Sequence, residues 1–230
     1  MKFTYLLINL ITVLFPLLLS FDKKVQFHKS WRFIWPGMII SGLAFLFWDS
    51  YFTAKGVWAF NPKYITGIKI LQLPIEEVLF FLTVPFACLF IYACLNYYIK
   101  WVINIRLTRI ISNLVIIFSI VILIFYHHRI YTRVTFTLVA FMVILLQFIY
   151  KVHWLNRFYM AWLVCLIPFY AINGILTSLP VVMYNNAENL GRSIGSIPIE
   201  DHFYCMALLL MNVAFFEYFR HKSKAKLHYA

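Results

Sequence analysis

With 230 residues, 63% of them hydrophobic, 20% aromatic and only 12% charged, the chain has too little polar surface to dissolve as a globule. Soluble domains carry roughly 25% charged residues, and disordered or collagen-like chains need polar or Gly/Pro-rich compositions, so those three classes are excluded. The formal charge of +12 does not call for nucleic acid, because membrane proteins keep cations at the ends of their spans, where they meet anionic headgroups.

Apolar runs at 3–20, 33–53, 74–99, 108–126, 133–150, 157–179 and 201–219 predict an all-α, polytopic membrane bundle of about seven transmembrane helices. Lys2 precedes the first run as in a signal peptide, but Leu18-Leu19-Ser20-Phe21 offers no small-x-small cleavage site, so the run is kept as a span. Cys88, Cys94, Cys165 and Cys205 fall inside apolar runs without metal-type spacing and read as small core residues. Counted over alternate connections, Lys and Arg divide thirteen against seven, the larger share falling with the basic tail that runs from Arg220 through Lys222 and Lys224 to Lys226. That bias predicts an outside N-terminus and a cytoplasmic C-terminus; the membrane itself is expected to be a bacterial cytoplasmic one. The two longest connections, 54–73 and 180–200, lie on the less positive side and hold most of the glycines, which predicts loops folded against the mouth of the bundle.

LPIEEVLFF at 73–81 superposes on IPIEDHFYC at 197–205 with an offset of 124 residues. The same offset places Asp49 on Asn173, Phe60 on Tyr184, Asn61 on Asn185 and Gly67 on Gly191. The chain therefore reads as two related three-helix units, residues 1–107 and 127–230, joined by a linking helix at 108–126. Three crossings would invert the second unit on direct fusion; one further helix restores its orientation and brings both motifs to the same face.

Only eight carboxylates are present, and Asp49, Glu76, Glu77, Glu200 and Asp201 sit in or at the mouth end of spans, where ionisable groups are costly and usually functional. A proline followed by acids is also an ordinary helix start. A cap, however, needs one acid, and each unit carries an adjacent pair. Glu76 or Glu200 is the expected proton donor, with Asp49 and Asn173 orienting the acids. Trp48, Trp58, Phe60, Phe80, Phe81, Tyr184, Phe203 and Tyr204 flank them. An interfacial belt would account for part of this set, but aromatic faces next to acids also suit a carbocation. His202, with no second histidine at ligand spacing, reads as a polar edge and not as a metal ligand.

At these residues the sequence resembles the membrane-integral lycopene cyclase domain family of carotenoid biosynthesis, in its fused form, over essentially the whole chain. Pro74-Ile75-Glu76-Glu77 and Pro198-Ile199-Glu200-Asp201 match the P-x-E-E/D element that the family carries once in each unit, as does Asn173-Gly174-Ile175-Leu176-Thr177 with Tyr184-Asn185 beyond it. The resemblance implies a redox-neutral cyclisation of lycopene or a related linear carotenoid. A carboxylic acid protonates the terminal double bond, the neighbouring double bond attacks the cation, and a base removes a ring proton to leave an ionone ring, expected to be of the β type. It implies Glu76, Glu77, Glu200 and Asp201 as catalytic residues, supported by Pro74, Pro198, Asp49, Asn173, Trp48, Trp58, Phe80, Tyr184 and Tyr204. No cofactor or metal is expected, and the partners are membrane lipid and the carotenoid, with association with other carotenoid enzymes open. No G-x-G-x-x-G occurs.

Three other readings are weaker. A prenyltransferase-like or hydratase-like isoprenoid enzyme of the magnesium-dependent kind needs aspartate-rich clusters, and no D-x-x-x-D occurs. A retinal protein needs a lysine in its last span, and 201–219 has none. A transporter or proton channel would share the paired units but calls for helices broken in mid-span, of which the sequence gives no sign.

Overall fold

The structure is a computed structural model that describes residues 1–228, with side chains described to residue 223; Lys224 and Lys226 of the basic tail fall outside the described side chains. Hydropathy sets the elements. In chain order they are α1 (Thr4–Leu19), α2 (Trp31–Ala54), β1 (Trp58–Phe60), the hairpin β2 (Lys69–Ile70) and β3 (Leu73–Pro74), and α3 (Ile75–Tyr98). Then follow α4 (Ile105–Tyr126), α5 (Ile130–Ile144), α6 (Leu155–Ser178), β4 (Val182–Tyr184), the hairpin β5 (Ser193–Ile194) and β6 (Ile197–Pro198), and α7 (Ile199–His228). Among the described residues six of these helices are long and apolar enough to cross a membrane, and the protein is a membrane-integral all-α bundle.

The remaining helix, α1, is shorter than these six, though it covers its apolar run 3–20 to within one residue at each end. α1 has 16 residues, about 24 Å at 1.5 Å per residue. The Ser20 hydroxyl turns back onto the Pro16 carbonyl, and Asp22 begins a tight turn by accepting from the backbone N–H of Lys24 and Val25, at 2.9 and 3.1 Å. Those two donors hold the Asp22 carboxyl below its ordinary range. The fifth span starts earlier than its hydropathy indicates, and it closes in a π-helical turn at Leu145–Ile149.

The two long connections are folded onto the bundle mouth. β1 and β4 pair antiparallel, with Trp58 opposite Tyr184 and Phe60 opposite Val182. Residues separated by 124 thus exchange partners, which is the signature of a local two-fold axis. The hairpins obey the same relation, Lys69 opposite Pro74 and Ser193 opposite Pro198. Gly67 and Gly191 occupy corresponding turns at φ +96° and +65°, where a side chain would be strained. The helices interleave: α2 packs chiefly along α7, and α6 along α3, so each unit's middle helix rests on the other unit's last helix.

Buried polar pairs fix these contacts. Asn9 on α1 donates to the Glu76 carbonyl and accepts from the Thr83 hydroxyl on α3 (2.6 Å), and Ser41 on α2 donates to Asn212 on α7 (2.8 Å). Such bonds within a membrane are worth roughly 0.6–2 kcal/mol each. Beside the Ser41 pair, Gly37 lets α2 and α7 approach so closely that an added Cβ would lie 2.6 Å from Phe215 Cβ. Gly37→Ala should therefore push the two helices apart and cost about 1–3 kcal/mol, as overpacking does. A lowered thermal midpoint in detergent, with the far-ultraviolet spectrum unchanged, is the expected result.

Candidate active site

An apolar cleft of about 440 Å³ opens between α1, α3 and α6, and its mouth end reaches α7 and the β1–β4 ladder. Along α3 its lining runs from Glu77 to Ile91, a depth of about 21 Å at the helical rise. Ile11 and Phe15 line it although they are 64% and 63% exposed, so the cleft is open sideways to lipid along α1.

Three carboxyls stand at the mouth end: Asp49 from α2, Glu77 from α3 and Asp201 from α7, all buried. Among the described residues none is within ion-pair distance of a cation. Polar neighbours hold them instead. The Tyr5 hydroxyl donates to Glu77 Oε2 at 2.5 Å, and the Tyr204 hydroxyl to Asp49 Oδ1 at 2.8 Å. Asp201 accepts from Tyr131 (2.6 Å) on one oxygen and, on the other, from Tyr184 (2.8 Å) and Asn173 Nδ2 (3.5 Å). Burial, with the Asp201 carboxyl beside it, holds the Tyr184 phenol well above its ordinary pKa, so it serves as a donor. Asp49 and Glu77 line the same mouth end of the cleft, each accepting from a single phenol.

Glu76 and Glu200 are placed elsewhere. Both are fully buried, and neither lines the cleft. Glu76 Oε1 accepts the Thr66 backbone N–H (2.6 Å); Glu200 Oε1 accepts the corresponding N–H of Leu190 (2.7 Å) and the Thr132 hydroxyl (2.6 Å). In each P-x-E-E/D element, then, the first acid fastens the long loop and the second faces the cleft. Neighbouring residues on a helix diverge by about 100°, so one pair serves both tasks. Pro74 and Pro198 close the hairpins beneath the motif, Pro74 being the N-cap of α3.

Of the flanking aromatics, Trp58, Phe60, Phe80, Tyr184 and Tyr204 line the cleft, whereas Trp48 does not. The two-fold relation explains Trp48. Its counterpart is Ile172, which lines the open cleft, while Trp48 fills the equivalent space between α2 and α7 and packs on Tyr204 at 4.9 Å between ring centroids. That second space is closed further along by the Ser41–Asn212 bond, whose counterparts Cys165 and Cys88 line the open cleft.

Tyr5 and Tyr131 are the site residues that the sequence offset missed. They are counterparts, each donating to the second acid of its unit's motif, and each backbone N–H bonds a matched loop carbonyl, Tyr64 and Glu188. They are separated by 126 residues, so a gap-free offset of 124 cannot pair them. His202 is engaged at both ring nitrogens, Nδ1 with the Pro198 carbonyl (3.1 Å) and Nε2 with the Tyr170 hydroxyl (2.9 Å). Among the described residues no three His, Cys, Asp or Glu side chains are grouped as metal ligands.

A sequence model described as lycopene cyclase matches residues 2–95 and 128–219, most of the chain and both motifs. The chain belongs to the lycopene cyclase family. Among curated proteins it is similar to a bifunctional lycopene cyclase/phytoene synthase of Aspergillus niger, 50% identical over 42 residues, which is 18% of this chain and 7% of that protein. It is also similar to a bifunctional lycopene cyclase/phytoene synthase of Podospora anserina, 34% identical over 84 residues, 35% of this chain and 14% of the other. The matched stretches thus span only a small part of these relatives, both of which are fungal. No solved structure matches. The lycopene cyclase match breaks between residues 95 and 128, across the whole of α4, which contributes no residue to the cleft.

Proposed function

We propose that this chain cyclises an end of lycopene or a related linear carotenoid to an ionone ring, β being the type assigned, through an acid-initiated carbocation and without net redox change. The observation that carries this reading is a set of three buried carboxyls at the mouth end of an apolar cleft that is open to lipid. A polyene end entering sideways past Ile11 and Phe15 would lie along the cleft with its terminal double bond at the acids. Proton transfer to carbon makes a tertiary cation, and the faces of Trp58, Phe60 and Phe80 stabilise positive charge in a space that excludes water. The two units, 1–107 and 127–230, share this one site across the linking helix at 108–126, with the N-terminus outside the cytoplasm, as the thirteen-to-seven distribution of Lys and Arg favours.

The test is purified protein in lipid, supplied with lycopene under anaerobic conditions in deuterated water, with and without added flavin or nicotinamide. Cyclisation without cofactor is expected, with one solvent deuterium at the ring methylene formed by the first protonation. Strict dependence on a reduced flavin, or rings free of deuterium at that carbon, would remove the mechanism.

A further inference from the structure

The two-fold relation that matches the units fails at one chemically decisive position. Glu77 and Asp201 correspond, and so do their donors Tyr5 and Tyr131, but the position beside them is Asp49 in the first unit and Asn173 in the second. A carboxyl and an amide do opposite things there. Asn173 Nδ2 can only donate, and with Tyr131 and Tyr184 it leaves both Asp201 oxygens occupied as acceptors. Three donors on one carboxyl, against one each on Asp49 and Glu77, favour the anion at Asp201. Asp49 and Glu77 are the reverse case. Each of the two acids accepts only one phenol hydroxyl, and two buried carboxyls at one cleft mouth with no cation beside them favour sharing a proton over carrying two charges.

Resting on the cyclase reading, we infer that the Asp49–Glu77 pair is the proton donor of the reaction and Asp201 its proton acceptor. The shared proton passes to the terminal double bond of the polyene, whose π electrons form the new C–H bond and leave a tertiary cation. The neighbouring double bond supplies the pair for the ring C–C bond and moves the cation into the ring. Asp201 then takes a ring proton, and that C–H pair becomes the ring double bond. One proton has entered the product and one has left it; the pair is one proton short and Asp201 one proton richer, and exchange with solvent at the mouth resets both. Asp49 is in this account a catalytic residue, not an orienting one.

Deuterium separates the two roles because protonation without completion returns labelled lycopene. In deuterated water, Asp49→Asn and Glu77→Gln should lower label in both recovered lycopene and rings by 100-fold or more, the range general acids contribute. Asp201→Asn should keep label uptake within about tenfold of the parent protein, while β rings fall and products with the double bond elsewhere, or with water added, rise. Label uptake lost in Asp201→Asn and retained in Asp49→Asn would overturn the assignment. If these variants do not fold, Tyr204→Phe and Tyr184→Phe repeat the comparison with a single hydroxyl removed. Tyr204→Phe should slow label uptake without changing the product ratio, and Tyr184→Phe should spread the products without slowing uptake; equal effects of the two would overturn it. Unmodified protein that forms no ring at all would instead remove the cyclase reading itself.

Discussion

Glu77→Gln and Asp201→Asn should each reduce β-ring formation in a lycopene-accumulating host by 100-fold or more, whereas Glu76→Gln and Glu200→Gln should leave it within about tenfold of the parent chain. All four acids belong to the same repeated motif, and all four are buried, so neither sequence nor burial separates them. Contacts do. Glu77 and Asp201 line the cleft, while Glu76 and Glu200 spend an oxygen on the backbone N–H of Thr66 and Leu190. Glutamine retains that acceptor and loses only the acidic proton. Alanine at 76 or 200 would leave the N–H unpaired and cost about 1–3 kcal/mol, seen as a lowered thermal midpoint with activity per folded molecule preserved. Carotenoid extracts normalised to folded protein decide the matter. Loss of rings in Glu76→Gln and Glu200→Gln, with full activity in Glu77→Gln and Asp201→Asn, would return the chemistry to the first acid of each motif.

Expression of residues 1–107 without the remainder should give no rings, and neither should 108–230 alone, while co-expression of the two should restore conversion. The first segment holds Asp49 and Glu77, the second Asn173, Tyr184 and Asp201. The walls are divided in the same way: α1 and α3 form one side of the cleft and α6 the other, and the β1–β4 ladder joins the two units across the mouth. Chromatography of extracts from the three strains is sufficient. Rings from either half would show that a complete site exists within one unit.

The bundle was legible in the sequence because hydropathy reports burial in lipid directly, and the paired motifs because one offset aligns them without a gap. Which acid of each pair faces the cleft was not legible. Adjacent helical residues differ by about 100°, and the face turned inward is set by the docking of α1, where Asn9 grips the Glu76 carbonyl. Tyr5 and Tyr131 escaped for a different reason: two extra residues in the first unit, between Tyr5 and the motif it serves, put the pair out of register. Trp48 was assigned to the site on proximity in sequence, and only the packing of α2 on α7 reveals that it fills the space from which a second cleft is missing. The first apolar run, 3–20, matches α1 to within one residue at each end, and the turn made by Ser20 and Asp22 ends both.

That missing second cleft bears on how a molecule with two identical ends is processed. A linear carotenoid has a reactive terminus at each extremity, and on the proposed function the cleft, about 21 Å long, takes one of them, because the equivalent space between α2 and α7 is filled by Trp48. On the proposed function, closing a second ring would require the one-ringed molecule to slide back into the bilayer, turn end for end, and compete for re-entry with untouched precursor. The proportion of one-ringed to two-ringed pigment would then follow from the crowding of the membrane, rising with the precursor supplied per enzyme molecule, and no side chain in the pocket would have to encode it.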